Sequence, residues 1–227
     1  MLKFLKKYFG STEYFPAISS GERIKRVFET HIAPELEKHG YQFDNKKVKF
    51  WKEQKGFTIE IELLKNKYNS KTWCVGFMPV FYIYSKKYNK WLKDTFNQDK
   101  ENYAIYCTQL NHINGWTKES SDGGWYDLAQ NDNKYLVEDL LKNIITIAIP
   151  HIDQLTDFNT AVDYIKTMER YYMAPMLFDF CVLEGNKNKA EEVLLWFNNF
   201  KNESGKKFLD ETLTDIKIRE KYLKNWV

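Results

Sequence analysis

Ten glycines and five prolines are all that the 227 residues contain, and this scarcity narrows the available chemistry. Phosphate-cradling loops need clustered glycines, and neither Gly-x-Gly-x-x-Gly nor the Gly-x4-Gly-Lys-Ser/Thr pattern occurs. Two glycines meet only in Asp122-Gly123-Gly124, which is a turn signal and lacks the alternating acidic ligands of a calcium loop. Cysteine is equally sparse. Cys74, Cys107 and Cys181 form an odd, widely spaced set without Cys-x-x-Cys, which predicts free thiols in a reducing compartment. The four histidines, His31, His39, His112 and His151, show no zinc spacing. Gly-x-Ser-x-Gly is missing, and Cys107 near His112 is read as an inert thiol. No stretch is long and uncharged enough to span a bilayer, and the opening residues lack the apolar run of about 7–15 residues found in signal peptides. The expectation is a cytoplasmic protein with no integral membrane segment, no catalytic residues, no metal and no cofactor.

What the chain does have is aromatic bulk. Sixteen Phe, fifteen Tyr and seven Trp make up 17% of it, enough for a substantial core. Charge is unevenly spread beneath a net +3. Residues 46–93 hold twelve Lys, no Arg and only Glu53, Glu60 and Glu62, a local balance of +9. Residues 94–227 carry −7. A basic, aromatic stretch attracts acidic partners or polyanions, or simply keeps a sheet soluble and its edges guarded.

Periodicity sets the elements. Ile24, Val27, Phe28, His31, Ile32 and Leu36 fall on one helical face after Ser19 or Ser20 as N-cap, with Gly40 as C-cap and Pro34 as a kink or division. Phe57-Thr58-Ile59-Glu60-Ile61-Glu62-Leu63 alternates without a break and marks a half-buried strand. It places Glu60 and Glu62 on one face, where cross-strand pairing with lysine is expected. A strand precedes it at Val48, Phe50 and Lys52, and Gln54-Lys55-Gly56 turns between the two. Tyr68-Asn69-Ser70-Lys71 is the next turn. The run from Trp73 to Tyr84 is apolar at both parities, with a bulge or edge position expected at Pro79. Tyr88 to Leu92 reads as a short helix, 102–110 as a fourth strand and Trp125 to Leu128 as another.

Everything after Asn131 reads as helix. The 134–149 segment is apolar nearly all round, hence central, and is expected to end at Pro150. Further helices follow at about 157–169, after Pro175 to Leu183, beyond Gly185-Asn186, and at about 207–224. The pair around Gly185 looks like a single tetratricopeptide-type hairpin, too few for a solenoid. Near the start, Leu2, Phe4, Leu5, Tyr8 and Phe9 among lysines form a weakly amphipathic segment. The sum is an α+β protein: an N-terminal helix on a mainly antiparallel four- or five-stranded sheet, then a helical C-terminal subdomain with an αα-hairpin. The expected division is 1–130 for the sheet domain and 131–227 for helices packed on it.

Lys38-His39-Gly40-Tyr41-Gln42-Phe43, the 57–63 strand, Gly124-Trp125-Tyr126-Asp127-Leu128 and Ile149-Pro150-His151-Ile152-Asp153 occur in that order. In this arrangement the chain resembles, over about residues 20–168, uncharacterised bacterial domains of unknown function. Some of these are found among predicted immunity proteins of toxin systems. The resemblance implies an immunity-type role and supplies no catalytic residues.

The leading expectation is therefore a non-enzymatic module that binds another protein, of the bacterial immunity type. Its anchors are sought among Trp51, Trp73, Trp91, Trp116 and Trp125, because aromatic side chains bury large area at low entropy cost. The first alternative is a nucleic-acid or polyanion binder using Lys47, Lys49, Lys52 and Lys55. An enzyme with a divergent active site is the second. Partner identity and oligomeric state have no signature in the sequence.

Overall fold

The computed structural model describes residues 12–98, 103–117, 121–204 and 210–226. The amphipathic segment at 2–9 lies outside them. The protein is α+β, with an antiparallel sheet, helices ahead of it and a helical C-terminal region. Two compact units divide the chain: Met1–Ser85 with Asn102–Ile152, and Lys86–Glu101 with Asp153–Val227. The helical segment from residue 133 to 152 thus groups with the sheet, and the helix that leaves the sheet after Ser85 groups with the C-terminal helices.

In the sheet unit, α1 (Ser20–Val27) and α2 (Ala33–Glu37) are joined by a π-helical turn, Phe28–Ile32. Ser19 occupies the N-cap position in extended conformation, but its side chain accepts no capping hydrogen bond. The widened turn lies just ahead of Pro34, which sits in the first turn of α2. Proline has no N–H to return to the preceding turn, and its ring crowds a carbonyl there. Opening that turn to π geometry relieves both problems.

Strands follow as β1 (Gln42–Asp44), β2 (Lys49–Gln54), β3 (Phe57–Lys65) and β4 (Gly76–Ser85). They pair in sequence order, all antiparallel. The helix α3 (Lys86–Phe96) then leaves the sheet, and β5 (Tyr106–Gln109), β6 (Ser121–Asp122) and β7 (Trp125–Asp127) complete it. The seven strands run β1-β2-β3-β4-β7-β6, with β5 also on β4. Three strands have only two or three residues, too short for alternation to mark.

Pro79 explains itself in this topology. On the edge of β4 away from β3, β7 pairs with Gly76 and Phe77, whereas β5 pairs with Val80 to Ile83. Pro79 falls between these partners, so a central strand has a local edge where proline costs no ladder bond.

One sheet face is the core. Phe50, Phe57, Ile59, Ile61, Phe77, Phe81 and Ile83 are buried on it. Phe28 packs edge-on against Phe77, with ring centroids 5.0 Å apart, and tilts onto Phe50 at 6.1 Å. The opposite face carries Lys49, Trp51 and Glu53 beside Thr58, Glu60 and Glu62, then Tyr84, Tyr82 and Val80, then Cys107 and Gln109.

Two hairpin turns carry paired positive φ angles, Lys55 (51°) with Gly56 (82°) and Gly123 (57°) with Gly124 (89°), the signature of type I′ turns. At Gly124 a Cβ would also stand 2.7 Å from Asn111 Cγ, whereas at Gly123 it would meet nothing within 4 Å. Gly124→Ala is accordingly expected to cost about 1–3 kcal/mol in urea unfolding, and Gly123→Ala about 1 kcal/mol. Equal losses would show that the Asn111 contact is irrelevant.

Beyond the sheet, α4 (Asn133–Asn143) is N-capped by Asp132, which accepts from Tyr135 N. Leu136, Val137, Leu140 and Ile144 are buried, while Leu141, Ile145 and Ile147 are half-exposed. Pro150 does not end this helix. A second π-helical turn, Ile144–Ala148, again precedes a proline by two residues, and α5 (Ile149–Leu155) continues past it. The same relief of proline strain operates at Pro34 and at Pro150.

The helical unit contains α3, α6 (Phe158–Thr167), α7 (Ala174–Leu183), α8 (Lys187–Ser204) and α9 (Asp210–Lys224). Asp157 caps α6 through Thr160 N. Gly185 (φ 69°) closes α7, with Asn186 N returning to Cys181 O and Gly185 N to Val182 O, as a Schellman motif requires. Within α7, Leu177, Phe178, Asp179, Phe180 and Cys181 are all buried. Asp179 is met by Arg219 of α9 in a two-pronged ion pair, Nε–Oδ1 3.0 Å and Nη2–Oδ2 2.7 Å. The Tyr88 hydroxyl of α3 donates to Oδ2 at 3.0 Å. This polar knot is a core feature of the unit.

Candidate functional site

The β3–β4 connection, 66–75, is the most conspicuous surface feature of the sheet unit. Its sequence is rich in Asn and Ser, whose short side chains bond to nearby backbone. Asn69 does so twice, accepting from Gly76 N at 2.6 Å and donating to Gly76 O at 2.8 Å. Asn66 Oδ1 accepts from Tyr68 N, and Ser70 Oγ from Trp73 N. Ser70 N donates to Cys74 O. The base is pinned by Asp127, which accepts from Val75 N at 2.9 Å, and by Gln130, which donates to Trp73 O at 2.7 Å. Burial and the nearby Asp127 carboxylate push the Cys74 thiol up, so it stays protonated at neutral pH.

On this fixed backbone two aromatic rings stand in solvent. Trp73 is 77% exposed and Tyr68 72%, and Leu64, just before the loop, is 48% exposed. The Lys67 ammonium lies 4.9 Å from the Tyr68 ring centroid. Loops of this length with ordered backbone and exposed rings pre-organise a contact, because little entropy remains to be lost on binding.

The five tryptophans named from sequence have different fates. Trp73 is exposed, and the other four are half-buried. Trp51 lies on the open sheet face opposite Glu60. Trp125 pairs with Asp122 in the β6–β7 hairpin. Trp116 follows the 3-10 turn Leu110–His112, and its buried indole N–H has no hydrogen-bond partner among the described residues. Trp91 belongs to the helical unit, edge-on to Phe96 at 5.1 Å and to Tyr222 at 6.3 Å.

The four lysines do not converge. Lys49 is bonded to Glu60, the expected cross-strand pair. Lys52 has the other parity and is half-buried, its ammonium 5.5 Å from the Tyr41 ring centroid. Lys47 and Lys55 are exposed at opposite ends of β2. A phosphate backbone needs a continuous basic track, and these positions do not make one.

Next to the loop, the open face hollows into a cavity of about 370 Å³ lined by Glu62, Leu63, Leu64, Val80, Tyr82, Cys107, Thr108, Gln109 and His112. Burial raises the Tyr82 hydroxyl, with Cys107 and Glu62 adding to it. Burial and the Glu60 and Glu62 carboxylates push Tyr84 up to about 12. The Cys107 thiol is likewise raised, first by burial, with Glu62 opposing ionisation and the Tyr82 hydroxyl favouring it. Cys107 and His112 thus share a cavity, but the thiol is held in its unreactive protonated form. Among the described residues no group of three or more His, Cys, Asp or Glu is arranged to hold a metal ion, and no helix is long and apolar enough to cross a membrane.

No family model matches the sequence, and no curated protein or solved structure is significantly similar to it.

Tyr68 and Leu64 were not among the anchors named from sequence. The Tyr68-Asn69-Ser70-Lys71 turn signal was the available clue. A turn residue that is both large and aromatic has no core to enter.

Proposed function

We propose that this protein is a non-enzymatic protein-binding module whose contact surface centres on the β3–β4 loop, with Trp73 and Tyr68 as anchors. The observation that carries this reading is two solvent-exposed rings on a backbone already held by Asn66, Asn69, Ser70, Asp127 and Gln130. Exposed tryptophan and tyrosine dominate protein interfaces, whereas a lone thiol of raised pKa offers no nucleophile. The resemblance to bacterial immunity domains makes a protein toxin the first partner class to try.

The test is capture of partners from the native cell by the full chain, followed by calorimetry with the partner obtained. Trp73→Ala is expected to weaken binding by about 2 kcal/mol or more, roughly thirtyfold, and Tyr68→Ala by somewhat less. Neither should shift the thermal midpoint, since neither ring is packed. A partner bound equally well by both variants would remove the loop from the interface and this reading with it.

A further inference from the structure

The surface beside the loop has a charge preference opposite to that of its sequence neighbourhood. Glu62, Leu63 and Leu64 lead directly from β3 into the loop and also line the 370 Å³ cavity. The direct cross-strand neighbour of Glu62 is Lys49, but the Lys49 ammonium is bonded to Glu60 instead. Glu62 is exposed and forms no ion pair with any described residue. The cavity therefore combines an apolar wall (Leu64, Val80), the Tyr82 ring and a carboxylate without a counter-ion among the described residues. Gln109, on the same face, and His112 also line it, and the Gln109 side-chain carbonyl offers an acceptor. Tyr82, Tyr84 and Cys107 all experience the Glu62 charge as a force against their own ionisation.

These features fit a cation on an apolar stem. We propose that the cavity receives an arginine side chain of the protein partner, its methylenes against Leu64 and Val80 and its guanidinium between Tyr82 and Glu62. This rests on the reading of the loop as a protein-binding surface. Arginine fits better than lysine because its planar, weakly hydrated head stacks on aromatic rings and forks onto carboxylates. Trp73 and Tyr68 supply the apolar anchors, and the cavity supplies charge selection. The partner surface is accordingly basic at this point, despite the +9 balance of residues 46–93.

The probe is N-acetyl-arginine N-methylamide, titrated into the full chain and followed by amide NMR. Saturable shifts are expected at Leu64, Tyr82, Cys107 and Gln109, with a roughly millimolar Kd. The neutral citrulline analogue should bind about tenfold more weakly, and Glu62→Gln should weaken the arginine probe about fivefold while leaving the spectrum otherwise folded. Equal binding of the two probes, indifference to Glu62→Gln, or shifts confined to other residues would overturn the proposal. Weakened partner capture on Trp73→Ala, with no response to the probe, overturns the arginine site alone. A Glu62-dependent probe response, with capture indifferent to Trp73→Ala, supports the site and overturns the loop reading alone.

Discussion

Arg219→Met is expected to destabilise the helical unit by about 3–5 kcal/mol, the cost of stranding a buried carboxylate. Asp179 and Arg219 are both fully buried. The guanidinium reaches Asp179 through two nitrogens and Asp215 Oδ1 through a third at 3.2 Å, and it lies 4.3 Å from the Phe96 ring centroid. Removing it leaves Asp179 with the Tyr88 hydroxyl as the only one of these partners still present. Urea unfolding followed by far-UV circular dichroism measures the loss. The combination Asp179→Leu, Arg219→Met and Tyr88→Phe removes the buried carboxylate together with its partners, leaving only the part-exposed Asp215 without the guanidinium, and should recover most of it. A single-variant loss under 1 kcal/mol would mean that water reaches the pair.

The same carboxyl has a pH signature. Burial pushes Asp179 up to about 6, against the pull of Arg219 and the Tyr88 hydroxyl. An unfolded aspartate titrates near 3.9. Between about pH 4 and 6 the folded chain therefore holds the proton more tightly than the unfolded one. Stability from this group is complete below about pH 4 and is lost as pH rises towards 6. Asp179→Asn should flatten that segment of the stability–pH curve. A slope unchanged in the variant would assign it to other carboxyls.

Asn133→Ala is expected to cost the sheet unit about 3 kcal/mol. Asn133 is fully buried and uses its whole amide. Oδ1 accepts from Tyr14 N at 2.7 Å and Arg23 Nη2 at 2.9 Å, and Nδ2 donates to Leu128 O at 2.8 Å and Asn131 O at 3.0 Å. Arg23 is itself buried, and Nε donates to Tyr14 O at 2.8 Å. Among the described residues no carboxylate is hydrogen-bonded to it, and its hydrogen bonds run to neutral oxygens. Burial lowers its pKa, opposed by Glu13 and Asp127. Alanine at 133 leaves Tyr14 N and one guanidinium nitrogen without an acceptor they now have. A fall in the urea midpoint with an unchanged slope would register the loss. No change would mean that water replaces the amide.

Neither Asp179 nor Asn133 was legible as a core residue. Asp179 interrupts Leu177-Phe178-Asp179-Phe180-Cys181, and a lone acid in such a run does not name its counter-ion forty residues away. Asn133 sits at the start of a helix, where a polar residue is ordinary. Similarly, Pro34 and Pro150 were readable as disturbances, but the outcomes were not. Both were absorbed by π-helical turns because flanking apolar residues keep the helix packed on either side. Pro79 read as a bulge or an edge position, and only the change of partner from β7 to β5 shows where a central strand acquires that edge.

What the sequence by itself determined is the α+β class, the alternating β3 strand, the free thiols and the Lys–Glu pairing across β2 and β3. These follow from local spacing and composition, which act within a few residues or between adjacent strands. Only the tertiary structure decided which tryptophan stays in solvent, that Lys49 chooses Glu60 over its direct neighbour Glu62, and that a cavity forms beside the loop. Each of those outcomes depends on which side chains from distant strands arrive at the same place. A pattern of spacings does not contain that information.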